Sequence, residues 1–258
     1  MVNLVRMDLY RMNKARSFRV CLILAFILAL SSTPFEYLMY QLSRMLSTSS
    51  DQIGTFPTTI EFSTLLSRSA APLTVLLALL SIVNFYYADM EGGYIKNIAG
   101  QMPKKGFSMI SRFIASVPHN LAFMLVTVIG SVIGSVIFQK ITFDASILEG
   151  LGTFLLKLLL LTSICSILLL ITGAFRNKSF GMILAVLIGL TLTSLLYTLV
   201  INPGLNKIFS KVDITPYMPD AVLTEEKPGA LRAILVSAVT IAIFLPLSAR
   251  VFDRKDVK

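Results

Sequence analysis

Of the 258 residues, 55% are hydrophobic and only 14% are charged, against about a quarter charged in an ordinary soluble domain. A water-soluble globular fold is excluded, and lipid must be the solvent for most of the chain. The net charge of +9 raises nucleic-acid binding as a reading, but the basic residues are spread over several connections instead of forming one stripe with interleaved aromatics, and attraction to anionic lipid is the simpler cause.

At the N-terminus, Leu4, Val5, Met7, Leu9 and Met12 recur at helical spacing among Arg6, Arg11, Lys14 and Arg16. This predicts an amphipathic helix over 1–18, lying on the inner leaflet with basic flanks. The apolar run 18–40 follows. Ala29 and Ser31 stand at the spacing of a small-residue signal-peptide cleavage site, but the long helical leader favours an uncleaved anchor. Next, Ser43 to Ser67, rich in Ser and Thr and containing Pro57, reads as an exposed outer loop without a packed core.

A spanning helix needs about 20 mainly apolar residues, and six segments supply them: 18–40, 66–88, 113–138, 151–175, 180–201 and 230–249. They are too long and too continuously apolar for barrel strands of about 10 alternating residues. Helices also satisfy their own backbone groups in hydrocarbon. The expectation is an all-α membrane protein of six transmembrane helices forming one domain over 1–258. Pro72 falls at a helix start, where its missing N–H costs little. Pro34, Pro118 and Pro246 either kink their spans or simply pack there.

Orientation follows from Lys and Arg in the connections. With the N-terminus inside, the inner pieces carry Arg6, Arg11, Lys14, Arg16, Arg19, Lys96, Lys104, Lys105, Arg112, Arg176, Lys178, Arg250, Arg254, Lys255 and Lys258, fifteen of the 23 basic residues. Both termini are therefore expected on the cytosolic face of a multi-pass protein.

Between the second and third spans, the loop 89–112 combines Glu91-Gly92-Gly93-Tyr94-Ile95-Lys96-Asn97-Ile98 with a basic exit at Lys104, Lys105 and Arg112. Tyr94, Ile95 and Ile98 share one side of a short helix, which makes the loop a docking element. In the third span His119 follows Pro118. A lone imidazole without neighbouring Cys, Asp or Glu is a poor metal ligand, and it reads as an interfacial or packing residue. Gly130 and Gly134 form a small-xxx-small helix-packing face that permits close approach either within this bundle or to a second membrane subunit. Glu36 and Lys157 are the ionisable residues nearest membrane depth. Lys157 reads either as a side chain snorkelling to the outer interface or as a cargo contact. In the last outer loop, 202–229, Leu205, Ile208, Phe209 and Val212 predict a short amphipathic helix after Asn202-Pro203-Gly204.

Nothing matches a phosphate-binding Gly-x-x-x-x-Gly-Lys-Ser/Thr loop. The chain has no Ser–His pair, intramembrane Asp pair or His-Glu-x-x-His helix for proteolysis, so no catalytic residue is assigned. Cys21 and Cys165 fall within spans and make neither a disulfide framework nor a metal cluster.

Taken together, the basic leader ending Asn13-Lys14-Ala15-Arg16-Ser17-Phe18, the stretch Glu91 to Asn97, and Pro103-Lys104 with Ser111-Arg112 resemble the membrane permeases of type-2 ATP-binding-cassette exporters. Tyr94 departs from the threonine usual in that family. The resemblance implies that residues around 91–102 form a coupling helix seated on a separate ATPase, touched also by a connecting helix that carries Arg6, Arg11, Lys14 and Arg16. It implies two ATPase subunits and a second permease, identical or different. The chain then binds no cofactor directly, and ATP and Mg act through the partner. A bacterial cell membrane location follows, with membrane lipid but no nucleic acid as a partner.

The expected activity is outward movement of an amphipathic or antimicrobial peptide, of the lantibiotic or bacteriocin kind, or of a hydrophobic drug. An ATP-independent carrier and a membrane scaffold or sensor subunit are the alternatives. A carrier would rely on intramembrane charges, which are sparse here.

Overall fold

A computed structural model describes residues 2–46, 56–91, 105–143, 146–175, 178–203 and 213–254, with the backbone alone at 89–91. Among the described residues it forms ten α-helices and one pair of three-residue strands. In chain order these are α1 (Val2–Lys14), α2 (Arg16–Leu46), β1 (Thr59–Glu61), α3 (Phe62–Ser67), α4 (Pro72–Glu91), α5 (Phe107–Phe138), β2 (Lys140–Thr142), α6 (Ile147–Phe175), α7 (Lys178–Gly189), α8 (Thr193–Leu196), α9 (Pro219–Thr224) and α10 (Ala230–Arg254).

Four helices, α2, α5, α6 and α10, are long and apolar enough to cross a membrane, and two bent pairs bring the number to as many as six. The 32 residues of α5 amount to about 48 Å, well beyond the roughly 30 Å hydrocarbon core. Its surface shows why lipid is the medium: Ile129, Ile133, Val136 and Ile137 are all exposed, as are Val20, Ile23 and Ile27 on α2 and Ile234, Val239 and Ile243 on α10. Apolar belts of this extent on adjoining helices exceed what a water-soluble monomer carries.

Inside, Leu79, Ile82 and Tyr86 of α4, Met124 of α5, and Leu160 and Ile164 of α6 are fully buried in one core. Lipid tails are as apolar as these side chains, so close packing and polar contacts, more than burial, decide which faces meet. Gly130 and Gly134 of α5 meet α2: a Cβ on Gly134 would stand 2.4 Å from the Leu30 carbonyl oxygen, and one on Gly130 would stand 2.9 Å from Ala29 Cβ. One turn on, the Thr33 and Ser135 hydroxyls share a 3.0 Å hydrogen bond. His119 is buried by packing. It forms a triangle with the mutually touching rings of Phe18 and Phe123. Its Nε2 is 3.2 Å from Ser81 Oγ on α4, a Ser–His contact that no sequence spacing marked, and its Nδ1 is 3.3 Å from Asn120 Oδ1. Asn120 in turn donates to Thr162 on α6. Such bonds are worth about 0.6 kcal/mol each in lipid.

At one end of the bundle α1, the start of α5 and the end of α10 come together. Asp253 of α10 accepts a 2.6 Å hydrogen bond from the Gly106 N–H, so a carboxylate answers the unpaired donors that open α5. Gly106 is required there, since a Cβ would lie 2.9 Å from the Ala249 carbonyl. At the opposite end β1 and β2 pair in parallel, Thr59 opposite Lys140, and Gln139 donates to the Pro57 carbonyl.

Three expectations need correction. The described part of the connection 43–67 is not a bare loop: β1 pairs, and α3 buries Leu65 and Leu66, because Phe62 to Leu66 carries enough apolar side chain to seat a short helix on α6. The segment 180–201 is not one straight span. Its two halves meet at 89° around Thr191, whose φ of 58° is left-handed. The Leu192 N–H bonds to Leu187 and the Thr191 N–H to Ile188, the paired bonds that end a helix in a Schellman motif. Finally, the apolar stripe of α1 is not all given to lipid. Leu4, Val5 and Leu9 are half-buried and Met12 buried, because Asp8 in the same face bonds to α5 and draws it onto protein.

Candidate functional site

The end of the bundle that carries β1 and β2 holds a cavity of about 710 Å³ between α2, α4, α5, α6, α7 and α9. The break before Pro72 makes room for it. Ala71 is extended, with φ −60° and ψ 146°, as the residue before a proline tends to be, and the chain bends by 43° between α3 and α4. The 3₁₀ turn Arg68–Ala70 carries the chain from α3 to that break. Lys157, from α6, donates its ammonium to the Ser67 carbonyl oxygen, where that turn begins, at 2.6 Å.

Lys157 lies ten residues into α6, about 15 Å from its start, and only 5% of it is exposed. Both sequence candidates, Glu36 and Lys157, line this cavity. Glu36 accepts a 3.3 Å hydrogen bond from Arg68, and each is about half exposed. The lining also includes Asp220 of α9, which is 7% exposed. Asp220 accepts hydrogen bonds from the Thr193 hydroxyl and, at 3.1 Å, from the Tyr197 hydroxyl. These bonds fasten α8 and the turn after it to α9. Arg68, Thr191 and Asp220 were missed in the sequence. The Pro-Asp start of a short helix was a usable signal for Asp220; nothing local marked Thr191.

The connecting-helix residues stand at the other end. Arg6 and Arg16 are exposed. Lys14 lies 5.8 Å above the Tyr10 ring. Arg11 is 3.9 Å from Asp8, which is buried and accepts a 2.5 Å hydrogen bond from Ser111 of α5. Glu91 ends α4; its side chain and Gly92, Gly93, Tyr94, Ile95, Lys96, Asn97 and Ile98 lie outside the described residues, as do Leu205, Ile208, Phe209 and Val212. Gly130 and Gly134 belong to neither end and serve the α2–α5 contact.

The chemistry available at the cavity is recognition. Its polar groups are an ammonium, a guanidinium–carboxylate pair and hydroxyl-bound Asp220, set among Leu28, Leu73, Val75 and Ile188, with no nucleophile–base pair among them. No protein-family model matches the chain, and no curated protein matches it.

Proposed function

We propose that this chain is the membrane-spanning permease subunit of an ATP-binding-cassette exporter, driven by a separate ATPase and moving an amphipathic or antimicrobial peptide, or a hydrophobic drug, outward from the membrane. The observation that carries this reading is the joining of α1 to α5 through Asp8 and Ser111, four residues after α5 begins. The connection between α4 and α5 holds the Glu91–Ile98 motif, so a push on it reaches α5 and the amphipathic leader together. Asp253, bonded to Gly106 at the same place, couples α10 to that push. The 710 Å³ cavity at the opposite end supports the reading as a place where cargo is held.

Co-purification in mild detergent, with ATPase activity followed as amphipathic peptides are added, tests the proposal. A bound ATPase stimulated by peptide, and uncoupled by Glu91→Ala or Ile95→Asp, is the expected result. Stimulation unaffected by both substitutions would remove the assigned coupling site, and a chain that purifies alone would favour the carrier or scaffold alternatives.

A further inference from the structure

We infer that the cavity beside Lys157 binds a single-chain amphiphile with one anionic group, its phosphate or carboxylate at the Lys157 ammonium and its chain along α2 and the start of α4. The inference deepens the exporter reading by naming a ligand class, and as a step in export it rests on that reading; binding to the chain alone does not.

The charges at the cavity identify the head group. Glu36 and Arg68 pair with one another at 3.3 Å, and the Asp220 oxygens already accept from two hydroxyls, which leave its charge in place. Lys157 has three N–H donors and one recorded acceptor, the neutral Ser67 carbonyl. Among the described residues no carboxylate makes an ion pair with it. Glu226 stands exposed in the lining and attracts it only through space. A buried cation without a hydrogen-bonded counter-ion is costly, and an oxyanion bonding to the ammonium relieves that cost with charge-assisted hydrogen bonds.

Its shape identifies the rest of the ligand. Along α2 the lining runs from Glu36 through Ser32 to Ala29 and Leu28, a descent of eight residues or about 12 Å from charged to apolar. Leu28 and Leu73 are 39% and 48% exposed, so the apolar end opens toward the lipid-facing surface, where a chain can enter sideways. A volume of about 710 Å³ lies within the roughly 300–1,000 Å³ of small-molecule pockets. One such amphiphile is accommodated.

The chain contains no tryptophan, so Leu24→Trp, one turn below Leu28 and outside the lining, provides a single fluorescent reporter. Ile243→Trp on the exposed face of α10 provides the lipid-facing control. The full chain in phosphatidylcholine nanodiscs is titrated with lysophosphatidic acid dibrominated in its chain, with the matching neutral monoacylglycerol, and with inorganic phosphate as competitor. We expect saturable quenching at position 24, at mole fractions that barely quench position 243. Lys157→Met should weaken it tenfold or more, whereas Lys157→Arg should stay within about threefold. Thr224→Phe narrows the mouth from an exposed lining position and should weaken binding with Lys157 intact, so the test survives if Lys157→Met does not fold. Equal quenching at both reporters, equal quenching by the monoacylglycerol, binding undiminished in both Lys157→Met and Thr224→Phe, or full displacement by inorganic phosphate would each overturn the proposal. Absence of ATPase stimulation would count against the exporter reading and leave this binding result standing.

Discussion

Lys157 reaches across ninety positions of chain to donate a 2.6 Å hydrogen bond to the backbone carbonyl of Ser67. The bond falls where α3 passes into the 3₁₀ turn Arg68–Ala70 that leads to Pro72. Lys157→Met should leave that carbonyl without its charged donor and lower the unfolding free energy by about 1–3 kcal/mol, with Lys157→Arg losing less. Equilibrium unfolding in mixed micelles measures both; an unchanged Met variant would mean that the bond contributes nothing to stability.

The approach of α2 to α5 depends on Gly134, because a Cβ there would lie 2.4 Å from the Leu30 carbonyl oxygen. Gly134→Ala should force the helices apart and cost about 1–3 kcal/mol, the range for overpacking. Gly152, on α6, has nothing within 4 Å of a built Cβ, so Gly152→Ala should be neutral or stabilise by up to about 1 kcal/mol. Comparing the two variants' melting midpoints in detergent checks the pair, and a Gly134 variant as stable as the Gly152 one would contradict the packing argument.

Thr191 holds a left-handed conformation at φ 58°, which costs an L-residue about 1–2 kcal/mol. Glycine removes that strain but regains about 0.4–1 kcal/mol of unfolded-chain freedom. The net expectation for Thr191→Gly is a stabilisation of roughly 0.5–1 kcal/mol. Thr191→Pro, whose ring demands φ near −65°, should abolish the turn, and a loss of amide-exchange protection at Leu192, whose N–H bonds to Leu187, would report it. A proline variant that folds like the parent would disprove the assigned turn.

Asp8 is buried in the interface of α1 with α5, where it accepts from Ser111 and faces Arg11. Asp8→Asn should weaken this charge-assisted contact and release α1, at a cost of about 1.5–3 kcal/mol. Trypsin cutting at the exposed Arg6 and Lys14 is the readout, with faster cleavage expected in the variant. Identical cleavage rates would place the anchor of α1 elsewhere.

Asp213 lies outside the spans, and its carboxylate accepts hydrogen bonds from the Thr215 N–H and the Asn202 amide. The Thr215 hydroxyl and N–H, with the Asn202 amide, hold its pKa below the ordinary carboxylate value. A depressed carboxyl contributes stability above the unfolded-state pKa of about 3.9, and that contribution is lost as pH falls through the folded value. Hydrogen exchange at Thr215 should therefore quicken as pH drops below about 4, beyond the intrinsic trend measured in Asp213→Asn. Parallel profiles for the two proteins would exclude the linkage.

Much of the helical framework was legible in the sequence, because hydropathy and proline placement act locally. Pro72 begins α4 as expected, and α5, α6 and α10 contain the third, fourth and sixth predicted runs. The run 180–201 misled, since its apolar residues continue through a turn made by Thr191, a residue that seldom takes a positive φ. The loop before α3 misled for the opposite reason: its Ser and Thr content concealed Leu65 and Leu66, which are buried by α6. Of the cavity, Glu36 and Lys157 stood out as charges in apolar runs. Arg68 did not, because it stands at the very start of the run 66–88 beside the Ser/Thr-rich connection, and Asp220 did not, because it lies in a polar connection where a charge is unremarked.

The sequence by itself determined that this is a helical chain with lipid for solvent, because backbone groups in hydrocarbon must be bonded within the segment that carries them. Only the tertiary structure decided that Gly130 and Gly134 face α2, that the stripe of α1 turns toward α5, and that Lys157 meets Ser67 beside Glu36 and Asp220. In lipid every apolar face is nearly equivalent. The choice among them rests on close backbone approach and on polar partners far apart in the chain, and no local pattern encodes either.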